Sequence, residues 1–267
     1  MWAFVNRLSS PRNFYHFAGR WIPWLGAATV LLLAAGLYGG LVLAPPDYQQ
    51  GESFRIIYVH VPAAWLGMFS YAFMAGVGAI GLIWRIKLAE AMAASVAPIG
   101  ASFAFLALVT GALWGKPMWG AWWVWDARLT STLILFFLYL GVIALNTAIE
   151  DKRNAARASA VLAIVGVVNI PIIVYSVEWW NTLHQKATIS IIKFQAPSIH
   201  LDMLIPLFIM ALAFKLFFFT VLFMRTRGEL LDRERHSRWV QELVGDATQM
   251  AVLKPSDRSD DLSMNGR

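Results

Sequence analysis

Six stretches of this sequence are long and apolar enough to cross a lipid bilayer as single helices, and this leaves the chain very few possible folds. They lie at roughly 21–43, 59–84, 94–114, 129–149, 158–177 and 201–224. A helix rises about 1.5 Å per residue, so roughly 20 apolar residues traverse a hydrocarbon core. Composition agrees, with 58% hydrophobic and 14% charged side chains among 267 residues, against about 45–50% apolar residues in soluble domains. Backbone polar groups in lipid must be satisfied internally, which leaves helices or a closed barrel. A barrel would show many alternating segments of about ten residues, and no such period occurs here. The expected fold class is therefore all-α, a polytopic membrane protein with six transmembrane helices. The first run, Trp24 to Leu43, follows basic residues as in a signal peptide, yet it outlasts a typical h-region and is read as a retained span.

Charge sets the expected orientation. Six spans put both termini on one side, where sixteen of the 22 Lys and Arg residues fall, among them Arg85, Lys87, Lys152 and Arg153. The opposite loops hold only Arg55, Lys116, Arg128, Lys186 and Lys193. Because Lys and Arg collect on the cytoplasmic side, the termini are expected in the cytoplasm, and the loops at about 44–58, 115–128 and 178–200 outside. The formal net charge of +6 is thus split between faces, so nucleic acid is not an expected partner. Residues 1–228 read as one membrane domain and 229–267 as a cytoplasmic tail. There, Leu231, Val240, Leu243 and Val244 suit a short amphipathic helix, and the chain beyond Lys254 reads as disordered. No phosphate-binding loop is present, so the chain is not expected to hydrolyse ATP by itself. With no cysteine there is no disulfide, no thiolate ligand and no CxxCH haem-attachment site.

The outer loops carry the unusual chemistry. Five of 13 Trp fall within the segment 114–131, at Trp114, Trp119, Trp122, Trp123 and Trp125. An aromatic belt accounts for one or two indoles at a helix end, not five in one loop. After Pro117, which suits a helix's first turn, Trp119, Trp122, Trp123 and Asp126 follow i, i+3, i+4, i+7. The spacing predicts a short amphipathic helix on the outer face, presenting an indole shelf suited to a large planar ligand such as a porphyrin. At its end, Arg128 can pair either with Asp126 or with a ligand carboxylate.

Two histidines stand at similar depth on flanking loops. His60 lies at the start of the second span, with Pro62 expected in that helix's first turn, and His184 lies between the fifth and sixth spans. Neutral imidazoles approaching from two sides are what six-coordinate haem requires. His16 and His236 belong to the cytoplasmic side, and His200 has Asp202 nearby for a simpler hydrogen-bonding role. Inside the spans, Lys215 lies where it can snorkel to the cytoplasmic end. Asn169 and Pro171 are placed to bend the fifth span, and Gly36 and Gly40 to let helices approach closely.

The pattern WGxPxWGxWWxWDxRLTS from Trp114 to Ser131 resembles the WWD signature of membrane haem-handling proteins in cytochrome c maturation. With six spans, His60 and the His184 region, the chain is similar to the CcmC, or haem exporter protein C, family. Only the tail beyond about Gly228 lies outside the likeness. That resemblance implies transient, non-covalent binding of haem b at the periplasmic face of a bacterial inner membrane. His60 and His184 would be its axial ligands, and Trp119, Trp122, Trp123, Trp125 and Asp126 the haem platform. It also implies covalent attachment of that haem to the chaperone CcmE, in a complex with the ABC-type subunits CcmA and CcmB and the small protein CcmD. Such a role is haem transfer rather than conventional enzyme turnover. Two alternatives stay open: an electron-transfer cytochrome subunit with bis-His haem, and a permease component moving haem or another solute.

Overall fold

A computed structural model describes residues 9–180, 182–184 and 199–252, with side chains to residue 245. All regular structure among them is helical. Helix α1 (Pro11–Tyr38) continues into a π-helical turn, Gly39–Leu43, and a 3-10 turn, Glu52–Ile56, leads into α2 (Ile57–Trp84). Then come α3 (Lys87–Trp119), α4 (Ala127–Ala148), α5 (Lys152–Gly166), α6 (Asn169–Trp179), α7 (Leu201–Arg233) and α8 (Arg238–Val252). With α5 and α6 joined as one, six helices are long and apolar enough to span a membrane. Each of the six expected runs coincides with one of them, the fourth reaching one residue past Ala148, and the protein is a polytopic all-α membrane protein.

The interior is built where small residues let backbones meet. A methyl added at Gly36 would strike Met210 of α7, and one added at Gly40 would strike the Tyr58 ring of α2, so both expected close approaches occur. In the main core, Tyr71 and Tyr139 pack edge to face at 5.0 Å, and Tyr139 donates to the Gly67 carbonyl at 2.7 Å. Phe103, Leu135, Phe218 and Leu222 complete this core. Large apolar residues such as Trp24, Leu31 and Phe137 face outward, as lipid requires.

The fifth span breaks at Val167 and Val168, between α5 and α6. Pro171 has no N–H to offer the Val167 carbonyl, and Asn169 Nδ2 donates to the Ser131 carbonyl of α4 at 2.8 Å. The helix is therefore interrupted where Asn169 and Pro171 were expected to act, and it is pinned to α4 there by a side-chain amide. Asn169→Leu is expected to lower stability by about 1 kcal/mol, read as a fall of a few degrees in the thermal midpoint in detergent; an unchanged midpoint would show that the bond contributes nothing.

The start of α1 and the end of α7 lie at one end of the bundle. There Phe14 of α1 meets Phe223 of α7, and Arg227 stacks over Tyr15 at 4.1 Å. Ion pairs Lys87–Glu234, Arg233–Glu90 and Lys152–Asp232 tie α3 and α5 to the end of α7. Helix α7 continues through residue 228 to Arg233, so Leu231 belongs to it rather than to the tail helix. That tail helix is α8, with Val240 buried and Val244 exposed. The stretch beyond Lys254 lies outside the described residues. Lys215 is exposed on α7, its ammonium 4.6 Å from the Phe69 ring centre.

Candidate functional site

At the opposite end, the starts of α2 and α4, the end of α3 and the segment after α6 converge. His60 sits in the first turn of α2, which begins at Ile57. Pro62 thus falls in the second turn rather than the first, because the helix starts a turn earlier than expected. The rings of His60 and His184 are 6.5 Å apart between centres and tilted by 33°. An imidazole bound to a metal through a bond of about 2 Å has its ring centre about 3 Å from that metal, so opposed ligands stand about 6 Å apart. The observed spacing fits this arrangement.

Each imidazole has a companion indole and a polar partner. Trp114 lies edge-on to His60 at 5.6 Å, and Trp119 lies 6.4 Å from His184. His60 Nδ1 is 3.0 Å from the Thr110 hydroxyl, and His184 Nδ1 is 3.4 Å from Arg128 Nη1. Gly111 also faces His60: a methyl there would lie 3.0 Å from His60 Cε1, so the imidazole would have to shift by a few tenths of an ångström. Asp47 accepts the Gln49 and Gln50 amides in a tight turn, and Gln50 Oε1 then accepts the Trp114 indole N–H at 2.8 Å. Thr110, Gly111 and Gln50 were not singled out from the sequence. For Thr110 a signal existed: it precedes Trp114 by four residues, one helical turn along the same face of α3.

The separate tryptophan helix expected after Pro117 does not form. Instead α3 runs on through Pro117 to Trp119 and stops where Gly120 adopts a left-handed conformation, φ 75°, with its N–H on the Lys116 carbonyl. Residues 121–126 are irregular, so Trp119, Trp122, Trp123 and Asp126 do not share one helical face. Glycine is suited to ending a helix in this way. Asp126 then opens α4 as its N-cap, Oδ1 accepting the Leu129 amide at 2.8 Å. Of the loop indoles, Trp122 and Trp125 are exposed, and Trp123 packs edge-on to Trp125 at 5.5 Å. Trp123 Nε1 and Asp126 Oδ2 are buried without hydrogen-bond partners, a donor and an acceptor inside one loop.

Arg128 reaches toward α6 and His184, donating to the carbonyls of Ile173 and Val174 at 3.2–3.4 Å. The other cations of this end within the description, Arg55 and Lys116, are committed elsewhere. Arg55 pairs with Glu52 and donates to the Gly40 carbonyl, and Lys116 donates to the Gly120 carbonyl. His200 caps α7 by accepting the Asp202 amide, the simpler role expected of it. Lys186 and Lys193 lie outside the described residues. Among those described, no cluster of three or more His, Asp or Glu forms a metal site; His60 and His184, 6.5 Å apart between ring centres, are a pair of neighbouring imidazoles.

The chain is similar in sequence to known proteins. The family model described as heme exporter protein C matches residues 4–241. The heme exporter protein C of Escherichia coli K12 is 52% identical over 244 residues, covering 91% of this chain and 98% of the relative. That of Bradyrhizobium diazoefficiens is 52% identical over 230 residues, 86% of each chain. A ccmC-like mitochondrial cytochrome c biosynthesis protein of Marchantia polymorpha is 47% identical over 203 residues, covering 75% of this chain and 84% of the relative. Matched by its model over nearly the whole membrane bundle, and half identical to relatives along most of their own length, the chain belongs to the haem exporter protein C family.

Proposed function

We propose that this chain binds haem b, transiently and without a covalent bond, at the outer face of a bacterial inner membrane and delivers it to the haem chaperone CcmE for c-type cytochrome maturation. The observation carrying this reading is the facing pair His60 and His184, 6.5 Å apart between ring centres and each beside an indole. As axial ligands the two would hold the iron from opposite sides. Trp114, Trp119, Trp122, Trp123, Trp125 and Asp126 form the surrounding platform, with the exposed Trp122 and Trp125 offered to the chaperone and Arg128 near a haem propionate. Its chemistry is positioning: haem held in one orientation with an accessible edge meets an incoming chaperone without a search through orientations. CcmA, CcmB and CcmD complete the assembly, with ATP hydrolysis in the ABC-type partner. Residues 1–228 carry the haem-handling domain, and both termini and the tail from 229 face the cytoplasm, a topology supported by the Lys and Arg asymmetry.

The test is the visible spectrum of the purified protein with haem, alongside His60→Ala and His184→Ala. A low-spin bis-imidazole spectrum that turns high-spin or disappears in each variant is the expected result. No haem uptake by the unaltered protein, or identical spectra for all three, would overturn the ligand assignment and leave the tryptophan loop as a protein-docking surface.

A further inference from the structure

The two histidines differ in where their protons sit. An imidazole ligates iron through a nitrogen that carries no proton. The Thr110 hydroxyl has one hydrogen, which it gives to the Leu106 carbonyl at 2.7 Å. Toward His60 Nδ1, 3.0 Å away, it therefore accepts. Neutral His60 keeps its proton on Nδ1 and presents a bare lone pair at Nε2. Thr110 is itself buried, and Trp114 lies against the ring, so this orientation is held by packing as well as by the bond.

His184 is held the other way. A guanidinium only donates, so Nδ1 of His184 accepts from Arg128 Nη1, 3.4 Å distant. Neutral His184 then carries its proton on Nε2. Ligation through Nε2 requires that proton to leave for water while Nδ1 gains one, a net change of zero, and Nδ1 can gain one only after Arg128 withdraws. Ligation through Nδ1 requires the same withdrawal. All the bonds of Arg128 are long, 3.4 Å to His184 and 3.2–3.4 Å to the Ile173 and Val174 carbonyls, so the guanidinium is lightly held. A carboxylate offers a guanidinium shorter, charge-assisted bonds.

We propose that Thr110 is a positioning residue that makes His60 the standing iron ligand, while Arg128 holds His184 in reserve until a haem carboxylate draws the guanidinium away. This rests on the reading of His60 and His184 as the axial ligands. Ligation is therefore ordered, His60 first, with capture of the carboxylate coupled to arrival of the second imidazole.

The experiment mixes ferric haem with the full chain in detergent and follows the visible spectrum in time. For the unaltered protein, a high-spin five-coordinate species is expected first, then conversion to the low-spin form. In Arg128→Leu the two phases should merge or come several-fold closer in rate. At equilibrium Thr110→Val should bind haem about 10–100-fold more weakly and raise the high-spin fraction, whereas Thr110→Ser, which keeps the hydroxyl, should behave as the unaltered protein does. Because the kinetic arm needs no variant at position 110, poor folding of Thr110→Val would not shield the idea. A single phase straight to low spin, or unchanged affinity in a folded Thr110→Val, overturns this inference while leaving the ligand assignment standing. Failure of the unaltered protein to bind haem overturns both.

Discussion

Replacing both His60 and His184 with alanine is expected to reduce haem binding by at least about 100-fold, since loss of a residue merely supporting a metal ligand already costs about 10–100-fold. Loading of the haem chaperone in membranes should fall with it. The fold should survive. Both side chains keep some exposure at one end of the bundle, and the Thr110 hydroxyl retains the Leu106 carbonyl when His60 is gone. Circular dichroism and size exclusion in detergent establish that the variant is folded, and the visible spectrum with a chaperone-loading assay reads the site. A folded double variant that loads the chaperone at the ordinary rate would dismiss the two imidazoles as haem ligands and shift attention to the tryptophan loop.

The second large effect is expected deep in the bundle. Gly100 of α3 lies directly against the Tyr139 ring, which occupies the space a side chain there would need. Tyr139 is fully buried and holds the Gly67 carbonyl of α2, so one glycine lets three helices share one tyrosine. Gly100→Leu should displace the ring and break that bond. Overpacking costs about 1–3 kcal/mol, and an orphaned buried polar group about 1–3 kcal/mol. The combined loss of about 2–6 kcal/mol compares with a whole stability of about 5–15 kcal/mol, so poor expression and a much lower thermal midpoint are anticipated. Gly76→Leu is the matched control, because nothing lies within 4 Å of a Cβ added there, and replacing this mid-helix glycine should leave stability unchanged or raise it by up to about 1 kcal/mol. Equal stability of the two variants would show that α3 can move aside and that the close approach is dispensable.

Much of this was legible beforehand because lipid permits so few solutions. Runs of apolar residues near the length of a bilayer mark spans whatever their neighbours do, and all six appeared as helices. The break beside Asn169 and Pro171 and the close contacts at Gly36 and Gly40 were also readable, since a missing N–H and a missing side chain act locally. The tryptophan loop was misread in form. A spacing of three and four residues is necessary for a shared helical face, but it does not ensure a helix. Gly120 and Asp126, a helix terminator and a helix cap, divide that segment between α3 and α4.

The sequence by itself thus determined the membrane class, the number of spans and the family, all of which depend on composition, periodicity and motif along one line of chain. Only the tertiary structure decided that His60 meets Thr110 from 50 residues away, that His184 meets Arg128 from 56 residues away, and that the two imidazoles face each other. Such pairings depend on helix rotation and on where each helix stops. Both are settled by packing among α2, α3, α4 and α6, and no spacing along the chain encodes them.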